Sequence, residues 1–360
     1  MSGRPARERR QPGWQLRAAF RRVAACGWAP AVLLASVVAG SVGAAAQGDD
    51  ARLSLPIACE FGKTCFVQQH VDVQPGPGAR DHACGTATYE GHAGTDFRLL
   101  SAAAAQRGVD VLAAADGTVL RARDGMDDQF AKVAGKATVE DRECGNGLVI
   151  DHGGGLETQY CHMLKGSLTV RPGQRVTRGA PLGKVGYSGL ADFAHLHLTV
   201  RKAGKVVDPF TGAAPDGSCR VNGSTAEAGL WRGEVAELLA YKSVEIIQTG
   251  FAGLPPDLDK LELDHEAFVR PGRDGPALVV FARIMNLAAG DRVRITTSGP
   301  AGFGEVYAGP PVDRNKATYI AYSGKRRRGP AWMPGRYDGT IEVLRGDRAI
   351  VTGRAEQVID

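Results

Sequence analysis

From Cys59 to about Thr211 the apolar residues come in short runs, each cut by Gly, Pro, Asn or Asp. Helices need a longer stretch of sustained 3.6-residue period, so this punctuation predicts short strands joined by turns. Gly147 to Asp151, the triplet Gly153-Gly154-Gly155 and Leu156 to Met163 predict a β-hairpin. On its return strand, alternation places Tyr160 and His162 on one face. Arg171-Pro-Gly173, Arg178-Gly179 and Gly186-Tyr-Ser-Gly189 mark further turns. The polar, poorly periodic segment 122–143 predicts a long loop inserted between strands.

The pattern changes after Phe210. Residues 212–223 read as a linker or surface loop, and Ser224-Thr-Ala-Glu227 forms a capping box. It predicts a short amphipathic helix carrying Leu230, Trp231, Val235, Leu238 and Leu239, weakened by Gly229 and Gly233. From Phe251 strand patterns return at 277–284, 292–297, 317–322, 340–344 and 349–351, which suggests a small β-sandwich. The expected fold class is therefore mainly β. A signal segment (1–46) precedes an antiparallel sheet domain (47–212), a linker with a short helix (213–250) and a C-terminal sandwich (251–360), immunoglobulin-like by analogy of fold alone.

Residues 1–46 hold seven arginines and one glutamate, then an apolar stretch from about Val23 to Val42 and a small-residue site, Ala44-Ala45-Ala46. This is the layout of a cleaved export signal, with an uncleaved anchor as the alternative. The remainder carries 37 basic and 38 acidic residues, so the net charge of +5 resides in the leader. No net positive field is left to hold nucleic acid. The run Lys325 to Arg328 reads as a solvated loop, with an anionic cell-wall polymer as a second possibility. Beyond the leader stand six cysteines: Cys59, Cys65, Cys84, Cys144, Cys161 and Cys219. An even count in an exported chain suggests up to three disulfides, Cys59 and Cys65 being close enough to pair. The absence of a Cys-x-x-Cys pair argues against a structural zinc knot.

Only eight histidines occur in the chain. In His195-Leu-His197 two imidazoles share one face of a strand, while Leu196 and Leu198 point the other way. His92 and Asp96 stand four apart with Gly94 between them to permit a tight bend, and His162 lies on the hairpin. Together these offer five residues of the types that bind zinc. A catalytic zinc commonly takes three, which leaves two histidines for proton transfer. His70, His82 and His152 read as structural or surface residues. No His-Glu-x-x-His helix is present; His265-Glu266 lacks the second histidine.

The segments GHAGTDF (91–97), GNGLVIDHGGGLETQYCHM (145–163), VRPGQRVTRGAPLGKVG (170–186) and AHLHL (194–198) resemble peptidase family M23, the lysostaphin- and LytM-like zinc peptidoglycan endopeptidases. The resemblance covers roughly Cys84 to Phe210. It implies a LytM-like sheet domain with His92, Asp96 and His197 as ligands of Zn2+ and His162 and His195 as catalytic residues that hold no metal. The implied reaction is hydrolysis of peptidoglycan cross-link or stem peptides by a zinc-activated water; the leader and the cysteines fit the periplasm or the outside of the cell equally, with no stable membrane insertion after cleavage of the signal. Relatives that lack ligands act as binding proteins that activate cell-wall amidases; the complete ligand set here favours catalysis. One departure is Phe193-Ala194, where the family often has Gly-Pro.

Overall fold

Short strand-forming runs recur along the chain and far outnumber helical ones. In the computed structural model, which describes residues 52–220 and 229–360, the fold is mainly β with antiparallel sheets. The first half holds β1 (Cys65–Gln69), β2 (Thr95–Leu99), α1 (Ala102–Gln106), β3 (Asp110–Leu112), β4 (Gly117–Arg123), α2 (Ala131–Ala134), β5 (Asn146–Asp151), β6 (Leu156–Met163), β7 (Arg175–Val176), β8 (Pro181–Lys184), β9 (His195–Lys202) and β10 (Lys205–Val207). One sheet runs in the order β1-β2-β9-β6-β5-β4-β7, with β10 also pairing to β9, and β3 pairs with β8 in a small second sheet. Its core gathers Phe97, Leu99, Leu148, Ile150, Tyr160, Leu196, Leu198 and Val200. The expected hairpin is β5–β6, and the expected long loop lies between β4 and β5, where it includes α2.

The second half begins with α3 (Gly233–Leu238), β11 (Glu245–Ala252) and α4 (Leu258–Leu263). It continues through β12 (Ala277–Leu287), β13 (Arg292–Ser298), β14 (Gly304–Ala308), β15 (Lys316–Arg326), β16 (Gly335–Arg345) and β17 (Arg348–Ile359). Sheets β11-β12-β15 and β14-β13-β16-β17 share one core of Val280, Ile284, Ile295, Tyr337, Ile341 and Val343. Strand pairing begins at Glu245, ahead of the expected Phe251, and the run 325–328 is partly strand, since β15 continues to Arg326. The helix also differs from expectation: it starts only at Gly233, and Trp231 precedes it in a bridge to Leu53. Trp231, Val235 and Leu239 enter the first core instead of spanning a gap. The leader 1–46 and the capping box at 224–227 lie outside the described residues. No helix among the described residues is long and apolar enough to cross a membrane.

All eleven residues of β12 are buried, as in a strand covered on both faces. Leu278, Val280, Ala282 and Ile284 face the sandwich core. On the other face Phe281 meets Leu261 of α4, and Met285 meets Phe66 of β1. The sandwich thus packs its outer face on the edge of the first sheet.

Three disulfides form, Cys59–Cys65 as expected, Cys84–Cys219 and Cys144–Cys161. Cys84–Cys219 closes a loop of 135 residues and ties the segment ahead of His92 to the chain beyond β10. Long closed loops restrict the unfolded chain most. Replacing both cysteines by alanine is expected to cost about 2–5 kcal/mol, measured by denaturant unfolding of the oxidised protein.

Candidate metal centre

Strand β2 lies directly against β9, with Asp96 opposite His197 and Arg98 opposite His195. Because side chains alternate, Phe97, Leu196 and Leu198 enter the core while the carboxylate and both imidazoles emerge on the other face. His92 arrives from the loop before β2. Its Nε2 lies 3.1 Å from Asp96 Oδ1 and 3.1 Å from His197 Nδ1, and His197 Nδ1 lies 2.8 Å from Asp96 Oδ1. These three atoms form a nearly equilateral triangle. A four-coordinate zinc bonded at about 2.0–2.1 Å separates its ligands by about 3.3 Å, so the triangle fits such an ion after a small expansion.

The other nitrogen of each of these two rings is already engaged. His92 Nδ1 donates to the His70 carbonyl at 2.6 Å, and His197 Nε2 donates to Thr199 Oγ1 at 3.0 Å. Such partners set the tautomer and aim the lone pair inward. Thr199 escaped the sequence reading, although its position two residues after His197 on the same face was a usable sign. Gly94 lies at the bend expected of it and serves a second purpose as well. A Cβ there would lie 2.5 Å from His197 Nε2 and 2.7 Å from the Leu198 carbonyl, so the residue is needed for space.

His162 reaches this face by a break in β6. Asn146 pairs with Met163 and Leu148 with Tyr160, so Gly147 alone faces Cys161 and His162. The bulge puts His162 in the left-handed region at φ 61°. Tyr160 stays in the core, its hydroxyl accepting from the Ala114 amide, whereas the His162 ring turns to lie 4.6 Å from that of His195. The expectation that Tyr160 and His162 share a face is therefore incorrect. Regular alternation fails at a bulge. Beside it the Cys144–Cys161 disulfide and the bond from the His162 amide to the Cys144 carbonyl (2.8 Å) hold the turned backbone.

His162 Nδ1 donates to the Ser188 carbonyl at 2.8 Å and His195 Nδ1 to the Phe193 carbonyl at 2.9 Å. Each ring therefore carries its lone pair on Nε2. Burial pushes the His162 pKa well below the usual range, with His195 and His197 acting in the same sense. Burial also lowers His195, against the pull of Asp96. In the metal-free chain burial alone would raise Asp96, but the charges on His92 and His195 and bonds from the histidines hold it well down. The five expected residues thus meet in one place. His162, His195 and His197 also form a second group whose ligand atoms lie within 4.8 Å of one another. Of the remaining histidines, His70 and His82 are buried, whereas His152 is partly exposed and bonds to the Asp116 carbonyl and Thr158.

Two outcomes follow from the groups supporting the triangle. Thr199→Val is expected to weaken metal binding about 10–100-fold, read by competition with a chelating dye. His70 is fully buried against His82 and Phe210, and burial lowers its pKa from 6.5 to about 3. Its unfolded form takes up a proton near pH 6.5 that the folded form refuses until about pH 3, so stability is lost as pH falls through that window. His70→Leu is expected to flatten the pH dependence of urea unfolding there by up to about 1.4 kcal/mol per pH unit.

Residues 90–209 match the sequence pattern described as Peptidase family M23. An "Uncharacterized metalloprotease" of Haemophilus influenzae is 30% identical over 146 residues, which is 41% of this chain and 26% of the relative. Peptidoglycan DD-endopeptidase ShyA of Vibrio cholerae is 29% identical over 149 residues, 41% of this chain and 29% of that protein. The matched stretch spans less than a third of the length of either curated relative. Among solved structures, a zinc containing peptidase from Vibrio cholerae is 26% identical, with 41% of this chain and 39% of that one covered and a TM-score of 0.26. The histidines and the aspartate gathered on one face of the sheet all lie within the segment 90–209 that matches this family.

Proposed function

We propose that this protein is an exported zinc metalloendopeptidase that hydrolyses amide bonds in peptidoglycan cross-link or stem peptides. The observation that carries the reading is the triangle of His92, Asp96 and His197 beside two neutral imidazoles whose Nε2 atoms are free to accept a proton. Separations of 2.8–3.1 Å among its three ligand atoms favour this set as the ligands. Zn2+ held there supplies Lewis-acid polarisation of the scissile carbonyl and makes water acidic enough to attack near neutral pH. His162 Nε2 or His195 Nε2 takes the proton of the attacking water and returns one to the departing amine. When protonated, either ring donates to the developing oxyanion. Burial supports this role because it keeps both rings unprotonated in the resting site. Peptidoglycan as substrate is supported by the named activity of the Vibrio cholerae relative. The leader's composition and the three disulfides support export to the periplasm or beyond.

A domain of this kind that only binds and activates an amidase needs no complete ligand set, so the full set favours catalysis. Purified peptidoglycan digested with the oxidised chain is expected to release muropeptides with new amino termini, whose masses name the bond cut. His197→Ala is expected to lose both zinc and cleavage. His162→Ala and His195→Ala should keep zinc and lose about 100-fold or more in rate. Full zinc occupancy in the parent protein with no cleavage would turn the assignment to the binding role.

A further inference from the structure

Arg98 is the residue the chemistry above leaves unexplained. It stands on the catalytic strand directly opposite His195 and is 0% exposed. Its guanidinium does not touch the ligands. Nη2 donates to Glu262 Oε2 at 2.6 Å, Nη1 to Gln68 Oε1 at 2.5 Å, and Cζ sits 4.8 Å from the centre of the Phe193 ring. Glu262 belongs to α4, outside the peptidase domain, and its other oxygen accepts from Arg283 of β12 at 2.7 Å. A single carboxylate is thus shared by two buried guanidinium groups. Stability does not account for such a triad, because apolar side chains of similar volume hold other proteins together as well or better.

Its position suggests what it does. Phe193 stacks on His195, with centroids 4.4 Å apart at 28°, and the Phe193 carbonyl accepts the His195 Nδ1 proton. Phe193 therefore holds His195 both by its ring and by its backbone, and Arg98 lies against that ring. It is also the residue at which the sequence departs from the family's usual Gly-Pro. Around it runs a cleft of about 550 Å³. Tyr89, Asp192, Phe193 and His195 line one side and Asn315, Lys316 and Thr318 of the sandwich line the other. Gln68 Nε2 reaches the Ala317 carbonyl (3.3 Å) and Asn286 Nδ2 the Gln68 carbonyl (2.6 Å), so this second wall is bonded in place.

Resting on the catalytic reading above, we infer that the C-terminal sandwich with its preceding helix α4 is a working part of the active site. Glu262 is a positioning residue that holds His195 through Arg98 and Phe193, and the sandwich edge forms the far wall of the substrate cleft. The decisive variant replaces the whole triad by apolar residues, Arg98→Met with Glu262→Leu and Arg283→Met, which leaves no buried charge unpaired. The proposal expects a melting temperature equal to or above the parent's and full zinc binding. It expects kcat on a soluble muropeptide to fall about 10–100-fold with KM within twofold. In the metal-free protein the His195 ring resonances should shift, since the stacked Phe193 ring moves. Phe193→Leu should reproduce the loss of kcat and add nothing to the triad variant, while Phe193→Tyr, which keeps a ring, should restore most of it. The proposal is overturned if the triad variant keeps both the parent's kcat and its His195 resonances, or if its effect and that of Phe193→Leu multiply. Should the triad variant not fold, Glu262→Gln read by the same resonances decides in its place. If the parent protein cleaves nothing, the catalytic reading fails, and the resonances still show whether Glu262 positions His195.

Discussion

The pairing of β2 with β9 is the constraint on which the site depends. With Asp96 opposite His197 and Arg98 opposite His195, one register delivers the carboxylate, both imidazoles and the buried arginine to one face. The same register delivers Phe97, Leu196 and Leu198 to the core. A slip of one residue would exchange the two sets, burying ionisable groups among apolar ones and exposing the core. Core formation and site formation are therefore one event. The strength of apolar burial protects the register, and the register positions the carboxylate and the imidazoles.

Around this pairing, each reactive group is held by a neighbour of another kind. Carbonyls of His70, Ser188 and Phe193 and the hydroxyl of Thr199 fix the four imidazoles in their tautomers. A bulge braced by the Cys144–Cys161 disulfide swings His162 over from the core face. These bonds preorganise the groups, and a preorganised site does not have to reorganise its dipoles as charge develops. The buried polar contacts with α4 and β12 extend that bracing beyond the first sheet.

Much of the site could be read from residue types and spacing. His195-Leu-His197 requires only the period of two of a strand, and the His92–Asp96 pair only its nearness in sequence. The reading failed where backbone geometry departs from the period, as at His162, and where a partner is a main-chain carbonyl that any residue can provide, as at Ser188. Arg98 and Glu262 were invisible for another reason. They lie 164 residues apart, and nothing in either neighbourhood signals the other. The same holds for Trp231, read as part of a linker helix yet buried in the first core.

By itself, then, the sequence determined the local periods: short antiparallel strands, the strand face shared by His195 and His197, the even set of cysteines and the residue types that a metal requires. These follow from steric and hydrophobic preferences that act over a few residues. Tertiary structure alone decided which cysteines beyond Cys59–Cys65 pair and which way the bulged His162 points. It also decided that the sandwich borders the cleft and that a buried carboxylate serves two arginines. Those outcomes depend on long-range packing, where a contact's energy is set by residues far apart in the chain and no local pattern records it.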